Sequence, residues 1–315
     1  MSAGGVTLAV PCRTDEPALG HTLAAARASW ARAPYADQPL EVLVCLNGPG
    51  GAAPRADLRA FAATAGVPLV EVDADARGEP APLGPGTPLR VVALSTARAG
   101  KPIAWNLLRA AARGRLAVFL DADVFFVPDA LGLLLAALEA HPEAALASGK
   151  TTCAPRAGLF EGIMAAPYGV DFPNLSAQLY GARLAALPAA MPEDLIEPER
   201  WLELVIGPAR VVRVREAQVA VRLPGTLADF FRQRIRIEMG KVQLTHDYAE
   251  LLTRSAPQPG TRAALGRLGV GGSTRLGAYL ALRTAAHVIA WWRWRRGATA
   301  GIWRQAATTK QWDAA

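Results

Sequence analysis

Residues 116–120, Leu-Ala-Val-Phe-Leu, form an apolar run without polar interruption, and Asp121-Ala122-Asp123 then drives two carboxylates out of its end. A strand built this way is covered on both faces, the habit of parallel sheets lying between helices. Ligands in such sheets collect beyond the carboxyl ends of the strands. Two acids there need compensation, because neighbouring carboxylates repel and are costly to desolvate. A divalent cation supplies it: hard oxygen ligands suit Mg²⁺ or Mn²⁺, which keep waters and share their coordination with phosphates. The competing reading is an acidic turn capping the next helix, since Pro128-Asp129 follows closely. The pair by itself does not separate the two.

The residues before it narrow the fold. Val6–Val10, Leu40–Leu46, Val67–Val72, Leu89–Leu94 and 116–120 read as strands. Helical segments run through Leu23 to Trp30, over 56–65 and over Lys101–Arg113, and another from Leu131 to Ala140 reads as core. Asn47-Gly48-Pro49-Gly50 is a turn, and 77–88 is a Gly- and Pro-rich loop. Strands separated by helices imply right-handed crossovers and a mainly parallel sheet, an α/β architecture of the nucleotide-binding type. Fold alone fixes no activity.

Composition removes other classes. Of 315 residues, 51% are hydrophobic and 19% charged, which excludes a disordered or fibrous chain. The net charge of +7 is compatible with nucleic acid, anionic lipid or a phosphorylated substrate. Within the catalytic half the basic residues lack an interleaved stacking platform or a recognition helix, so no nucleic-acid partner is expected. Cys12 and Cys45 fall in apparent buried strands and Cys153 in a loop, which predicts no disulfide framework and a reducing compartment. The first residues carry no basic region and apolar run of the secretory kind, so a cytoplasmic location is expected.

Further signals lie along the chain. Gly100-Lys101-Pro102 opens a helix, where free N–H groups and the dipole favour anions, so Lys101 is placed to hold a diphosphate or is a solvated first-turn residue. Glu197-Pro198-Glu199 opens the helix Arg200–Val205, with proline well placed at its first position. Val211–Val221 alternates apolar residues and reads as one or two half-buried strands. A helix then bears Phe230, Phe231, Gln233 and Arg236; the last two lie three apart, on one helical face.

Taken in order over roughly residues 6–240, these segments resemble the family-2 glycosyltransferases of GT-A fold. Val10-Pro11-Cys12-Arg13-Thr14-Asp15 is similar to the family's first-strand segment that meets the nucleotide base. Glu41–Gly48 is similar to its second-strand segment, with Leu46 where an aspartate is frequent and Asn47 as the remaining polar residue. Gly100-Lys101 with Ala104 and Asn106 resembles the Gly-Lys-x-x-Ala-Leu-Asn helix start, and Asp121-Ala122-Asp123 falls where the family places its metal-binding D-x-D. Gly181-Ala182-Arg183 resembles the glycine segment before the base motif, and Gln233-Arg234-Ile235-Arg236-Ile237 the Gln-x-x-Arg-Trp motif, with Ile237 for tryptophan.

The resemblance implies an inverting, metal-dependent transfer of a sugar from a nucleotide-diphosphate sugar, a UDP-sugar by expectation, to an acceptor hydroxyl on a lipid, natural product or glycan. Asp123 and Asp121 would hold Mg²⁺ or Mn²⁺. Pro11, Arg13, Asp15, Asn47, Lys101, Gln233 and Arg236 would bind the donor. Two acids compete for the catalytic base: Glu199 on the helix start, which is favoured, and Asp194 in the literal Glu193-Asp194 match. Residues 1–245 would form the GT-A catalytic domain, with 1–125 as the nucleotide-sugar half and 126–245 as the acceptor half. Rival classes are a nucleotidyltransferase with a similar sheet and a non-catalytic nucleotide-sugar binder.

The tail is of another kind. Residues 246–275 read as a linker and 276–315 as a helical tail, whose apolar run Leu276–Trp292 contains Arg283 and His287 and meets Trp291-Trp292-Arg293-Trp294-Arg295-Arg296. The run is short for a bilayer span, and tryptophan with arginine suits the headgroup region. A helix lying in the membrane interface, with peripheral membrane contact, competes here with one packed onto the catalytic domain. Thr308-Thr309-Lys310 resembles a late Ser/Thr-Lys segment of the family.

Overall fold

A computed structural model describes residues 5–50, 52–76, 88–153, 158–170, 174–253 and 270–298. Its elements in chain order begin with β1 (Val6–Arg13), α1 (Leu19–Arg32), β2 (Leu40–Asn47), α2 (Ala52–Thr64), β3 (Leu69–Asp73), β4 (Leu89–Thr96) and α3 (Lys101–Ala111). They continue with β5 (Leu116–Leu120), β6 (Phe125–Phe126), α4 (Ala130–Ala140), β7 (Leu146–Cys153), α5 (Leu159–Ala165), β8 (Leu179–Arg183), α6 (Pro198–Ile206) and β9 (Val211–Val221). The last are α7 (Leu227–Asp247), α8 (Ala249–Leu252) and α9 (Val270–Arg295). The chain divides into two compact units, each with its own packing: 1–150, 175–194 and 209–219 form the first, and 151–174, 195–208 and 220–315 the second.

The first unit is the expected α/β sheet. Among the described residues nine strands lie in the order β3-β4-β2-β1-β5-β8-β7-β9-β6. β1 pairs in parallel with β2 and β5, and β4 in parallel with β2 and β3, whereas β8 runs antiparallel to both β5 and β7. The mainly apolar runs account for this placement: every residue of β2 and of β5 is buried, as strands covered on both faces require. Full burial of each Leu or Val side chain contributes about 1.5–3 kcal/mol.

One aromatic stack ties α3 to the centre of this sheet. The Trp105 and Phe119 rings lie 5.6 Å apart, those of Phe119 and Tyr180 5.1 Å apart, and the Trp105 indole N–H donates to the Tyr180 hydroxyl at 2.9 Å. α3, β5 and β8 are thereby fixed together just below the point where Asp121 emerges.

The second unit is helical. Thr226 caps α7, its hydroxyl accepting from the Asp229 N–H at 3.1 Å. α7 and α9 share two apolar clusters: Phe230, Leu276 and Tyr279 with Met164 and Leu223, and Ile235 and Met239 with Ile196, Ala286 and Ala290. Between them the buried Glu238 carboxylate receives Lys241 at 2.7 Å, Arg283 at 3.1 Å, Arg234 at 3.4 Å and the His287 ring at 3.1 Å. Burial alone would raise the Glu238 carboxyl, but Lys241, Arg283 and Arg234 outweigh it and hold it below the ordinary glutamate value.

Several expected boundaries change. The presumed linker is largely helical where it is described: α7 runs to Asp247, α8 follows, and α9 begins at Val270 rather than Leu276. Packing of Leu276 and Tyr279 against α7 outweighs the cost of about 1 kcal/mol per glycine for Gly271 and Gly272. α9 is thus a packed helix on one side, and among the described residues no helix is long and apolar enough to cross a membrane. α2 starts at Ala52, ahead of the expected 56, and Val211–Val221 is a single strand. Cys153 ends β7 and is half-buried instead of lying in a loop, whereas Cys12 and Cys45 are buried in strands as expected. Burial pushes the Cys45 thiol up to about 12. The 77–87 stretch and Thr308-Thr309-Lys310 lie outside the described residues.

Candidate functional site

At the carboxyl edge of the sheet, Arg13 of β1 is in register with Asn47 of β2, and Asn47 with Thr96 of β4. The buried Asn47 side chain joins these ends: its amide N–H donates to the Cys12 carbonyl at 2.9 Å, and its oxygen accepts the Gly100 N–H at 3.2 Å. The loop after β1 is held by Thr14, whose hydroxyl donates to the Pro49 carbonyl at 2.6 Å. Pro11 is half-buried in β1, and Arg13 forks onto the exposed Asp15 with contacts of 2.8 and 2.7 Å. Four of the expected donor residues, Pro11, Arg13, Asp15 and Asn47, therefore share one sheet edge.

The two aspartates leave the adjacent strand, β5. The Asp121 N–H donates to the Gln178 carbonyl at 3.0 Å. The Thr22 hydroxyl of α1 donates to the Ala122 carbonyl at 2.8 Å and lies 3.3 Å from that of Val124. The turn 121–124 is thereby pinned from beneath, with both carboxylates half-buried. Lys101, the first residue of α3, places its ammonium 2.6 Å from Asp121 Oδ1 and donates to the Ala177 carbonyl at 2.9 Å. Gly100 before it has φ of +158°, and a Cβ there would press on Ile103. Asn106 further along α3 anchors Met191 with two hydrogen bonds of 2.9 and 2.8 Å.

The donor set fits a hard divalent cation. Asp121 and Asp123 offer oxygen ligands on a rigid turn, and among the described residues no cluster of three or more His, Cys, Asp or Glu completes a cage. Such ions take one or two carboxylates and fill the remaining positions with water and substrate phosphate.

Of the two acids considered for the base, Asp194 is exposed in the first unit, next to Glu193, which is paired with Arg98. Glu199 is buried in the first turn of α6, 8% exposed, in the second unit. On the same helix Glu203 is fully buried and paired with Arg200 at 2.8 Å.

A third acid, given no role from the sequence, stands at the same helix start. Glu197, the N-cap of α6, is half-buried, and its side chain caps nothing. Burial raises its carboxyl, the neighbouring Glu199 adds to this, and Arg236, Lys241 and Arg234 partly offset it. Its side chain packs on α7 at Gly240, where a Cβ would come within 2.3 Å of Glu197 Cγ. The signal was a glycine in an otherwise regular helix, which becomes legible only once α6 and α7 are known to touch. Arg236 is therefore in the field of Glu197, and Gln233 is half-buried one turn earlier on α7.

Residues 82–155, which include Lys101 and both aspartates, match the family model described as glycosyl transferase family 2. No curated protein matches the chain significantly. Among solved structures, the mannosyltransferase PcManGT from Pyrobaculum calidifontis, in complex with GDP-Man and Mn²⁺, is similar over 99% of this chain and 88% of its own, with 19% identity and a TM-score of 0.56. Glucosyl-3-phosphoglycerate synthase from Mycobacterium tuberculosis, in complex with Mg²⁺ and UDP, aligns over 80% of each chain with 17% identity and a TM-score of 0.48. The first of these likenesses establishes a common GT-A fold. The matched segment, residues 82–155, is thus similar to family-2 glycosyltransferases and is seated on that fold.

Proposed function

We propose that this chain moves a sugar from a nucleotide-diphosphate sugar, a UDP-sugar in our reading, to an acceptor hydroxyl with inversion at the anomeric carbon. The observation that carries the proposal is the Asp121–Asp123 turn, pinned at the end of β5 with Lys101 on one of its carboxylates. The catalytic machinery is assigned to residues within 1–245.

Asp123, with Asp121, is assigned to hold Mg²⁺ or Mn²⁺, in keeping with the metal in the similar mannosyltransferase. When bound, that ion acts as a Lewis acid towards charge growing on the leaving diphosphate. Lys101 neutralises Asp121 in the free protein and is assigned to turn towards the donor phosphates when they arrive. Pro11, Arg13 and Asp15 are assigned to the base and ribose. Asn47 is given a positioning role, because its amide already joins β1 to the start of α3. Gln233 and Arg236 are assigned to phosphate or acceptor groups; arginine's planar fork suits phosphate oxygens.

Glu199 is our choice of general base, with Asp194 the alternative. The base takes the acceptor's hydroxyl proton while that oxygen bonds to the anomeric carbon. The bond from that carbon to the diphosphate oxygen breaks on the opposite face, and a nucleoside diphosphate leaves with the electron pair. General-base assistance of this kind is worth about 10²–10⁴-fold. The test is incubation with a panel of UDP- and GDP-sugars and Mn²⁺. Slow release of nucleoside diphosphate from one donor is expected, whereas release of pyrophosphate, or of nothing from any donor, would overturn the reading.

A further inference from the structure

The second unit holds a cationic cavity that the proposed reaction does not use. Where α7 and α9 pass each other beyond Ala286 and Ala290, a space of about 630 Å³ is lined by Lys241, His246, His287, Arg295, Trp291 and Trp294. His246 packs on Trp294 with ring centres 6.4 Å apart and pairs with Asp247 at 2.8 Å. Lys241 and Arg295 line the cavity, no carboxylate is among its lining residues, and Glu238 meets Lys241 from α7 together with Arg234 and Arg283, so the lining itself carries surplus positive charge. That surplus is complementary to an anion.

The rim is of different character. On α9, Val288 is 59% exposed, Trp292 50%, Trp291 43% and Ile289 37%. The Arg295 guanidinium stands 4.4 Å over the Trp291 ring, and that of Arg296 3.3 Å over Trp292. Exposed aliphatic and indole surface interleaved with guanidinium groups gives one edge that prefers hydrocarbon beside one that prefers anionic oxygen, the amphipathic pattern of a helix at a membrane surface. A small soluble anion would engage the cations and leave Val288, Ile289 and Trp292 in water. No described helix spans a bilayer, so contact of this kind is peripheral.

We infer that the cavity between α7 and α9 receives the phosphate headgroup of an anionic phospholipid, with Trp291, Trp292, Val288 and Ile289 entering the interfacial layer beside it. The inference is independent of the catalytic assignment, because neither its residues nor its readout involve sugar transfer.

The experiment is co-sedimentation of the full chain with vesicles of phosphatidylcholine alone and with about one third phosphatidylglycerol, at low and at high salt. Binding to the anionic vesicles at least about tenfold above neutral ones, and falling with salt, is expected. Arg295→Gln should weaken it about fivefold, and the double variant Trp291→Ala with Trp292→Ala should abolish it. These positions are exposed, and circular dichroism checks that each variant is folded. A third arm measures calorimetric binding of soluble glycerol phosphate, which is expected to be negligible. Equal binding to both vesicle types, binding to neither, or variants that bind like the parent would overturn the inference. Tight binding of glycerol phosphate without vesicle binding would also overturn it, by making the cavity a soluble-anion site.

Discussion

The ammonium of Lys101 lies 2.6 Å from Oδ1 of Asp121, so the first residue of α3 and the first residue beyond β5 form one ion pair. Both side chains are about four-fifths buried, at 18% and 21% exposure, where such a contact is worth more than on an open surface. The pair balances the charge of the carboxylate that we assign to the metal and holds the lysine beside the turn.

Lys101→Met should therefore weaken nucleotide-sugar binding by about 10–100-fold, the value of a charge-assisted hydrogen bond to phosphate. Titration calorimetry with the donor and Mn²⁺ checks this. Unchanged affinity would confine Lys101 to balancing Asp121.

Glu199→Gln should lower kcat by about 10²–10⁴-fold with little change in donor affinity, and Asp194→Asn should be mild. Steady-state kinetics on the active donor would show the division. The reverse pattern transfers the role to the exposed Asp194, and two mild effects reject both acids.

Gly240→Ala places a methyl group against the Glu197 and Ile196 side chains, and the Glu197 side chain must shift to admit it. The expected loss of stability is about 1–3 kcal/mol, even though alanine is the better helix former. Denaturant unfolding would measure it. An unchanged midpoint would mean that α6 yields freely.

The raised Glu197 carboxyl has a defined sign in pH dependence. Above the ordinary glutamate value the unfolded chain is ionised there while the folded chain still keeps its proton. The unfolded state then binds fewer protons, so this group costs stability as pH rises from that value through its folded value. Glu197→Gln should raise Tm more at pH 7 than at pH 4. Glu238 has the opposite sign, its held-down carboxyl stabilising the fold above the ordinary value and losing that contribution as pH falls through its lower folded value. A Glu197→Gln protein whose gain in Tm is equal at both pH values would contradict the first assignment.

Much of the first unit was legible because its signals are local. Five mainly apolar runs, a Pro-Gly turn after Asn47 and a glycine before Lys101 each announce an element, and four of the residues expected to bind the donor lie on one sheet edge. Non-local pairings stayed hidden. That Lys101 meets Asp121 depends on the Trp105–Phe119–Tyr180 stack, whose members lie on three separate elements. Asn47 read as a ligand contact, yet its amide closes β1 against α3, a fact no turn pattern carries. Glu197 opens α6 in the sequence, but its packing on Gly240 of another helix leaves no local pattern. The tail's composition could not separate membrane surface from core, and the structure shows one helix with a packed face and an exposed, aromatic and basic end.

We assign Asp121 and Asp123 to bringing a divalent cation to the donor diphosphate. The most direct measurement is titration calorimetry of the active nucleotide sugar into the parent protein and Asp123→Ala, each with and without Mn²⁺. Mn²⁺-dependent binding in the parent that is lost in the variant, with an unchanged unfolding midpoint, is expected. Equal donor affinity in the two proteins under both conditions would contradict it.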